Sequence, residues 1–396
     1  MSTLREIFLS HNAQTSPSPL LLEFIRAEGI YLFNPEERAY MDFISGIGVS
    51  NIGHGNPKVI QAIHEQSKSY LHQMVYGEYI QKPQSLYAQS LANSLPKELS
   101  SIYFVNSGSE AIEGAMKLSK RFTGRMELLG FEKSYHGSTQ GALSIMGEES
   151  FKNAFRPLLP SIKFLRWNYW EDLELITEKT AGVLMETIQG EAGIRIPNSD
   201  FLKALRKRCT EFGALLILDE IQCGMGRTGK LFAFQDYSII PDILVLGKAL
   251  GGGLPLGAFI SSDLIMGSLK ENPILGHITT FGGHPLSCAA GLAAFEFLTQ
   301  SSLMEEIEEK SQLFHALIFH PKVLEIRRKG FMIAIEFEDF EHNKKIIDRC
   351  IDQGLIVDWF LHNSKSMRIA PPLITQDFEI IQAAEIIQNS IEWAYS

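Results

Sequence analysis

Cysteine is scarce: 4 residues in 396, at Cys209, Cys223, Cys288 and Cys350, with none in a Cys-x-x-Cys pair. That spacing excludes a disulfide framework and suits free thiols in a reducing compartment. Long apolar runs are missing as well. No stretch of roughly 18 uninterrupted apolar residues occurs, so no membrane span is expected. Positive charge is in deficit. Lys and Arg total 36 against 46 Asp and Glu, a formal net charge of −10. Nothing here favours a nucleic acid or an anionic membrane as partner, although a small anion can still be held by local groups. Residues 1–14 carry Arg5 and Glu6 and lack the apolar stretch of a signal peptide, so the cytoplasm is the expected location. Repeats and low-complexity linkers are also absent. What remains is an ordinary globular composition, 45% hydrophobic and 21% charged, with chain enough for two or three domains.

The middle of the chain alternates short apolar runs with helical patterns. Ile102 to Val105, Leu128 to Phe131, Gly182 to Met185, Ala214 to Leu218 and Ile243 to Leu246 read as strands. Each is short, unbroken and apolar, as expected for strands buried on both faces of a parallel sheet. A helix is expected from Glu110, with Ile112, Ala115 and Met116 on one face and Glu113, Lys117, Lys120 and Arg121 on the other. Phe201 to Phe212 reads as a crossover helix. This alternation predicts a doubly wound α/β domain. The last hundred residues differ: Met304 to Leu317 and Asn343 to Gln353 are helical in pattern, and Phe331 to Phe337 alternates like a strand with one exposed face. The expected division is therefore an N-terminal segment, 1–48, joining a small α+β domain at 296–396, with a large domain over 49–295.

In open α/β sheets, ligands bind beyond the carboxyl ends of the strands. Three such ends carry chemistry. Asn106-Ser107-Gly108-Ser109-Glu110 enters a helix and is either a phosphate cradle or a plain serine cap. Asp219, after Ala214 to Leu218, needs a cationic or donor partner if buried; a structural salt bridge or helix cap would also satisfy it. Lys248 stands between an apolar strand and Gly251-Gly252-Gly253. It is either a snorkelling side chain or a desolvated amine able to attack a carbonyl. Gly224-Met225-Gly226-Arg227-Thr228-Gly229 matches a dinucleotide fingerprint literally, but residues 219–223 separate it from the strand and no helix opens at its last glycine. A nicotinamide oxidoreductase rests on these glycines alone.

Other segments join these. Tyr40-Met41-Asp42-Phe43 and Ser45-Gly46-Ile47 lead to Gly53-His54. Tyr135-His136-Gly137, Gln189-Gly190-Glu191-Ala192-Gly193 and Asp219-Glu220-Ile221-Gln222 follow. Lys248 sits in Gly-Lys-Ala-Leu-Gly-Gly-Gly; Thr280-Phe281-Gly282-Gly283 and Arg368 before Pro371-Pro372 complete the series. In this order and spacing, from about Gly29 to Leu373, the chain resembles the class III aminotransferases, the ornithine, acetylornithine and 4-aminobutyrate group of fold-type-I pyridoxal-phosphate enzymes.

The resemblance implies a large cofactor domain with a mostly parallel, doubly wound sheet, a smaller α+β domain, and a homodimer with active sites at the interface. It implies pyridoxal 5'-phosphate as cofactor, with no metal, and small-molecule partners: an amino donor and a 2-oxo acid acceptor. Lys248 would be the Schiff-base lysine and the base that shuttles the Cα proton. Asp219 would keep the ring nitrogen protonated. Ser107, Gly108 and Ser109 would hold the phosphate, with Thr280 adding a hydroxyl from the neighbouring subunit. Tyr135 would stack on the ring beside His136, Ile221 would pack on the other face, and Gln222 would approach the phenolic oxygen. Arg368 would grip the α-carboxylate of glutamate or 2-oxoglutarate, a task suited to a guanidinium fork. Glu191 would pair with Arg368 when the other substrate is bound. Thr279 and Ser138 would face substrate.

Two departures stand out. Ser138 occupies a position where these enzymes usually carry an arginine for the donor's distal carboxylate, and His284 replaces a common asparagine. The expected donor is acetylornithine, ornithine or a related amine. Alternatives are a donor without that carboxylate, such as a diamine, or a same-fold aminomutase or decarboxylase. Tyr76 and Tyr79 are candidates for either the donor pocket or an interface. A non-catalytic protein on the same scaffold is disfavoured by the joint presence of Lys248 and Asp219.

Overall fold

The structure is a computed structural model and describes residues 3–396. Near the N-terminus, β1 (Arg26–Glu28), β2 (Tyr31–Phe33) and β3 (Ala39–Asp42) form an antiparallel meander. A seven-stranded sheet follows, from β4 (Ser101–Val105), β5 (Glu127–Phe131), β6 (Ile162–Leu165), β7 (Thr180–Glu186), β8 (Leu215–Asp219), β9 (Ile243–Leu246) and β10 (Gly257–Ser261). Its order is β4-β10-β9-β8-β7-β5-β6, and every pair from β9 to β6 is parallel.

The inner strands are apolar up to their carboxyl ends, apart from Thr180 at the start of β7, because helices cover both sheet faces. All residues of β7, β8 and β9 are buried. The helix Gly108–Thr123 packs across β10 and β9; Ser107 caps its start, and Gly124, at φ 68°, ends it. Its packing is close: a Cβ at Gly114 would lie 2.3 Å from the Phe259 ring. The helix Ser199–Phe212 returns the chain from β7 to β8, capped by Asn198 and ended by Gly213 at φ 62°.

Two expectations need correction. Ile102 to Val105 is not an inner parallel strand: β4 lies at the sheet edge, and its neighbour β10 runs antiparallel to both β4 and β9. β10 escaped notice because Gly257-Ala258-Phe259-Ile260-Ser261 is bounded by small residues that read as loop.

The second correction concerns the C-terminal region, where β11 (Glu325–Lys329), β12 (Met332–Glu336), β14 (Asp358–Phe360) and β15 (Asn363–Ile369) form a sheet ordered β11-β12-β15-β14. The segment Phe331 to Phe337 has no exposed face. Ile333 and Ile335 join the main core, while Met332 and Ala334 pack with Ile188, Ile194 and Phe360. The face expected to meet water meets the segment after β7 instead. Between β12 and β14, β13 (Leu355–Ile356) leaves this sheet and pairs in parallel with β3, Leu355 beside Met41. Both ends of the chain thus build one sheet.

Candidate active site

The carboxyl ends of the parallel strands deliver side chains to one place. A cavity of about 200 Å³ lies there, lined by Ser107, Gly108 and Ser109 after β4 and by Tyr135 and His136 after β5. Glu186 and Glu191 enter from β7 and its following loop. Asp219, Ile221 and Gln222 come from the end of β8, and Lys248 from just beyond β9.

Backbone shape makes room for a ligand. A Cβ on Gly137 would fall 1.9 Å from Ser109 Oγ, and φ there is 119°, so the turn beside the helix start requires glycine. A Cβ at Gly108 would lie 2.8 Å from Ile221 Cδ1. Ser107 Oγ accepts from the Glu110 amide at 3.2 Å. The first-turn amides of this helix have no intrahelical acceptor and point the positive end of its dipole outward.

Asp219 is buried and doubly held. Its Oδ2 lies 2.7 Å from His136 Nδ1, and its Oδ1 accepts from the Ile221 amide at 2.9 Å. His136 Nε2 is buried without a partner. Lys248 has φ 49°, a left-handed conformation uncommon outside glycine and often found at functional sites. Burial lowers its proton affinity, outweighing the attraction of Glu191 and Asp219.

Arg368 does not line the cavity itself but meets it through Glu191, whose Oε2 accepts from Arg368 Nη2 at 2.5 Å, with both side chains almost fully buried. The same Oε2 accepts from the Leu361 amide at 3.1 Å, and Glu191 Oε1 accepts from Gln222 Nε2 at 3.3 Å. Burial opposes ionisation of Glu191, but the charges of Arg368 and Lys248 prevail and hold its carboxyl below the usual range. Arg368 Nε and Nη1 are buried with no acceptor, so part of the fork is unused.

Not every expected residue reaches the cavity. Ser138 is exposed beside it. Thr279 accepts from Asn106 Nδ2 at 3.0 Å, while Thr280 is exposed and offers its carbonyl to His72. Tyr76 is half-buried beside Thr279, and Tyr79 is exposed. His284 has a structural role: its Nδ1 accepts from the Leu286 amide at 3.3 Å as the N-cap of the helix Pro285–Thr299. An asparagine would do the same. The glycines at 224–229 form consecutive turns around buried Arg227 and open no helix. Glu186 and Ile188, which line the cavity, lie outside every motif of the sequence reading. Glu186 ends β7 in register with Asp219, one residue beyond the apolar run Gly182 to Met185.

These features define the class. The chain matches the class-III aminotransferase family over residues 12–391 and belongs to it; it is a transaminase of the kind that uses pyridoxal phosphate. It is 37% identical, over 98% of both chains, to an acetylornithine aminotransferase of Methanopyrus kandleri. To the acetylornithine aminotransferase of Caldanaerobacter subterraneus it is 35% identical over 94% of both. In structure it is similar to the adenosylmethionine-8-amino-7-oxononanoate aminotransferase of Methanocaldococcus jannaschii, with TM-score 0.92, 28% identity and 98% of each chain covered. It is also similar to the ornithine aminotransferase of Toxoplasma gondii, with TM-score 0.91, 26% identity, and 98% of this chain and 93% of that one covered.

Proposed function

We propose that this chain moves the ω-amino group of acetylornithine, ornithine or a related amine to 2-oxoglutarate, in two half-reactions on one cofactor. The observation that carries the reading is the Arg368–Glu191 pair, buried and set beside the cavity that holds Lys248. A switchable arginine serves two substrates that alternate at one site, which an aminomutase or decarboxylase does not need.

The residues present fit pyridoxal phosphate. A helix start with open amides at Gly108 and Ser109 suits its phosphate, and Gly137 keeps the space beside Ser109 clear. Asp219, desolvated and held by His136, suits a cationic ring nitrogen. Tyr135 and Ile221 provide opposite walls, and Gln222 the polar edge. When bound, the cofactor supplies an aldehyde to carry the amine and a ring to accept electrons from the substrate's Cα.

The chain's own residues do the rest. Lys248 would hold the cofactor's aldehyde and serve as the base that moves the Cα proton, tasks that its lowered proton affinity suits. Asp219 would keep a proton on the ring nitrogen. Arg368 binds the acceptor's α-carboxylate with its unused donors while Glu191 turns away. Glu191 neutralises Arg368 again when an amine without a carboxylate at that point is bound. The exposed Thr280 then serves a neighbouring copy's phosphate site, which makes the active form a homodimer. Four buried, unpaired cysteines suit a cytoplasmic home.

Ser138 favours a second reading of the donor. A serine offers no bidentate charge contact, so a diamine or another donor lacking a distal carboxylate fits the same site. A panel of amino donors assayed against 2-oxoglutarate decides between them. Preference for acetylornithine or ornithine supports the first reading, and preference for diamines the second. Lys248→Ala must abolish turnover with every donor; a Lys248→Ala protein with full activity overturns the mechanism.

A further inference from the structure

Glu186 has no part in the reading above, yet it lines the same cavity. It stands in register with Asp219 on the adjacent strand. Neighbouring strands lie about 4.8 Å apart, so two carboxyl groups share one buried edge. Their partners differ. Asp219 has His136 at 2.7 Å. Glu186 has only main-chain donors: Oε1 accepts from the Tyr135 amide at 2.9 Å, and Oε2 from the Gly190 amide at 2.9 Å. Each donor opens a different loop. One carries Tyr135, a wall of the cavity; the other carries Glu191, the partner of Arg368.

We propose that Glu186 is a positioning residue that ties the Tyr135 loop to the Glu191 loop as the neutral member of a carboxyl pair, leaving Asp219 as the one anion on that edge. This rests on the reading of Asp219 as the ring nitrogen's partner.

The charged groups facing Glu186 are Asp219 on β8, Glu191 on the loop after β7, Lys248 beyond β9 and His136 beside Tyr135. Two of the four are acids. Of the two bases, His136 is engaged by Asp219, and Lys248 is drawn more strongly to Glu191 and Asp219 than to Glu186. Two adjacent carboxylates away from water cannot both ionise cheaply, and the one with the better partner keeps the charge. Burial and the charge of Asp219 push the Glu186 carboxyl well above its ordinary range, although the two amides pull the other way. A neutral carboxyl retains acceptor capacity for both amides, so the tie does not require ionisation.

The test uses the full chain freed of cofactor and two substitutions, Glu186→Gln and Glu186→Met. Infrared spectra at neutral pH should contain the carbonyl stretch of a buried neutral carboxylic acid, part of which disappears in Glu186→Gln. Glu220, pushed up to about 7, contributes its own band and leaves it in both spectra. An unchanged band in Glu186→Gln overturns the neutral state. Titration with pyridoxal phosphate alone reads the tie. Glu186→Met leaves both amides unpaired and should weaken binding about tenfold or more, while Glu186→Gln, whose one carbonyl oxygen can serve only one of the two amides, should fall between the parent and Glu186→Met. The visible circular dichroism of the bound cofactor should change in Glu186→Met as Tyr135 shifts. Glu186→Met binding as the parent does, or Glu186→Gln as poor as Glu186→Met, overturns the proposal. Should the parent protein take up no pyridoxal phosphate, the reading of Asp219 fails, and the infrared comparison still decides the state of Glu186.

Discussion

Among the described residues two arginines are buried, Arg227 and Arg368, and their surroundings are opposite in kind. Arg227, in the turns after β8, donates to the carbonyl of Pro371, to Asn51 Oδ1 and to the carbonyl of Phe331. Its acceptors come from three separate segments and none is a carboxylate, so burial pulls its pKa down to about 9. Arg368, on β15, faces the carboxylate of Glu191 and keeps two nitrogens unpartnered. A guanidinium enclosed by neutral amide oxygens from three segments holds those segments together. One that faces a single side-chain carboxylate, itself held by Gln222 and Leu361, can exchange it for an incoming anion. The acids nearby follow the same division. Glu191 is held ionised by the cations around it. Glu220, which accepts from Thr187 Oγ1 and the amides of Ala233 and Phe234 around the Arg227 turns, is pushed up to about 7 by burial.

Removing Arg227 should break the comparison most severely. Arg227→Ala strands buried acceptors on three segments and is expected to cost about 3–5 kcal/mol of stability, read from denaturant unfolding. Arg368→Ala should instead lower kcat/KM for 2-oxoglutarate about a hundredfold, near 2.7 kcal/mol. The double substitution Arg368→Ala with Glu191→Ala should be more stable than Arg368→Ala alone, because no unpaired buried carboxylate remains. Glu191→Gln should be milder. It weakens the alternation and changes the ratio of kcat/KM for donor and acceptor by about tenfold, as steady-state kinetics with each substrate varied will show.

A pH experiment sharpens the contrast between the acids. Glu220 binds its proton more tightly folded than unfolded, so the folded state loses stability as pH rises from the ordinary carboxylate range through about 7. Glu220→Gln should flatten that part of the stability profile in thermal scans of the cofactor-free protein. The smallest change is expected from Ser138→Arg. An added guanidinium at this exposed position should shift preference toward donors with a distal carboxylate by about threefold; an unchanged ranking across the donor panel would show that position 138 does not read the donor.

Much of the central sheet was legible because strands buried on both faces must be apolar runs, and Ile243 to Leu246 coincides with β9. Site positions followed from where those runs end, since parallel strands deliver their carboxyl ends to one side. Glu186 was lost for a related reason. The run that carries it was closed at its last apolar residue, and a buried acid looks like the first residue of a loop. The face of β12 that alternation assigns to water packs against Ile188 and Ile194, a long-range contact that alternation cannot report. Thr280 and Ser138 are exposed on this chain, a placement set by tertiary packing that the local pattern around them does not report.

The pairing of β13 with β3 has a consequence for biosynthesis. Met41 leaves the ribosome long before Leu355, an interval on the order of tens of seconds at ordinary elongation rates. During that time the strand edge that β13 will occupy has no neighbour, and such edges invite pairing with other nascent chains. The large sheet, whose strands are complete once Ser261 has emerged, can form without waiting. Slowing translation beyond residue 300 should therefore prolong exposure of the amino-terminal meander and leave the central sheet untouched, a difference that pulse proteolysis of stalled chains would resolve.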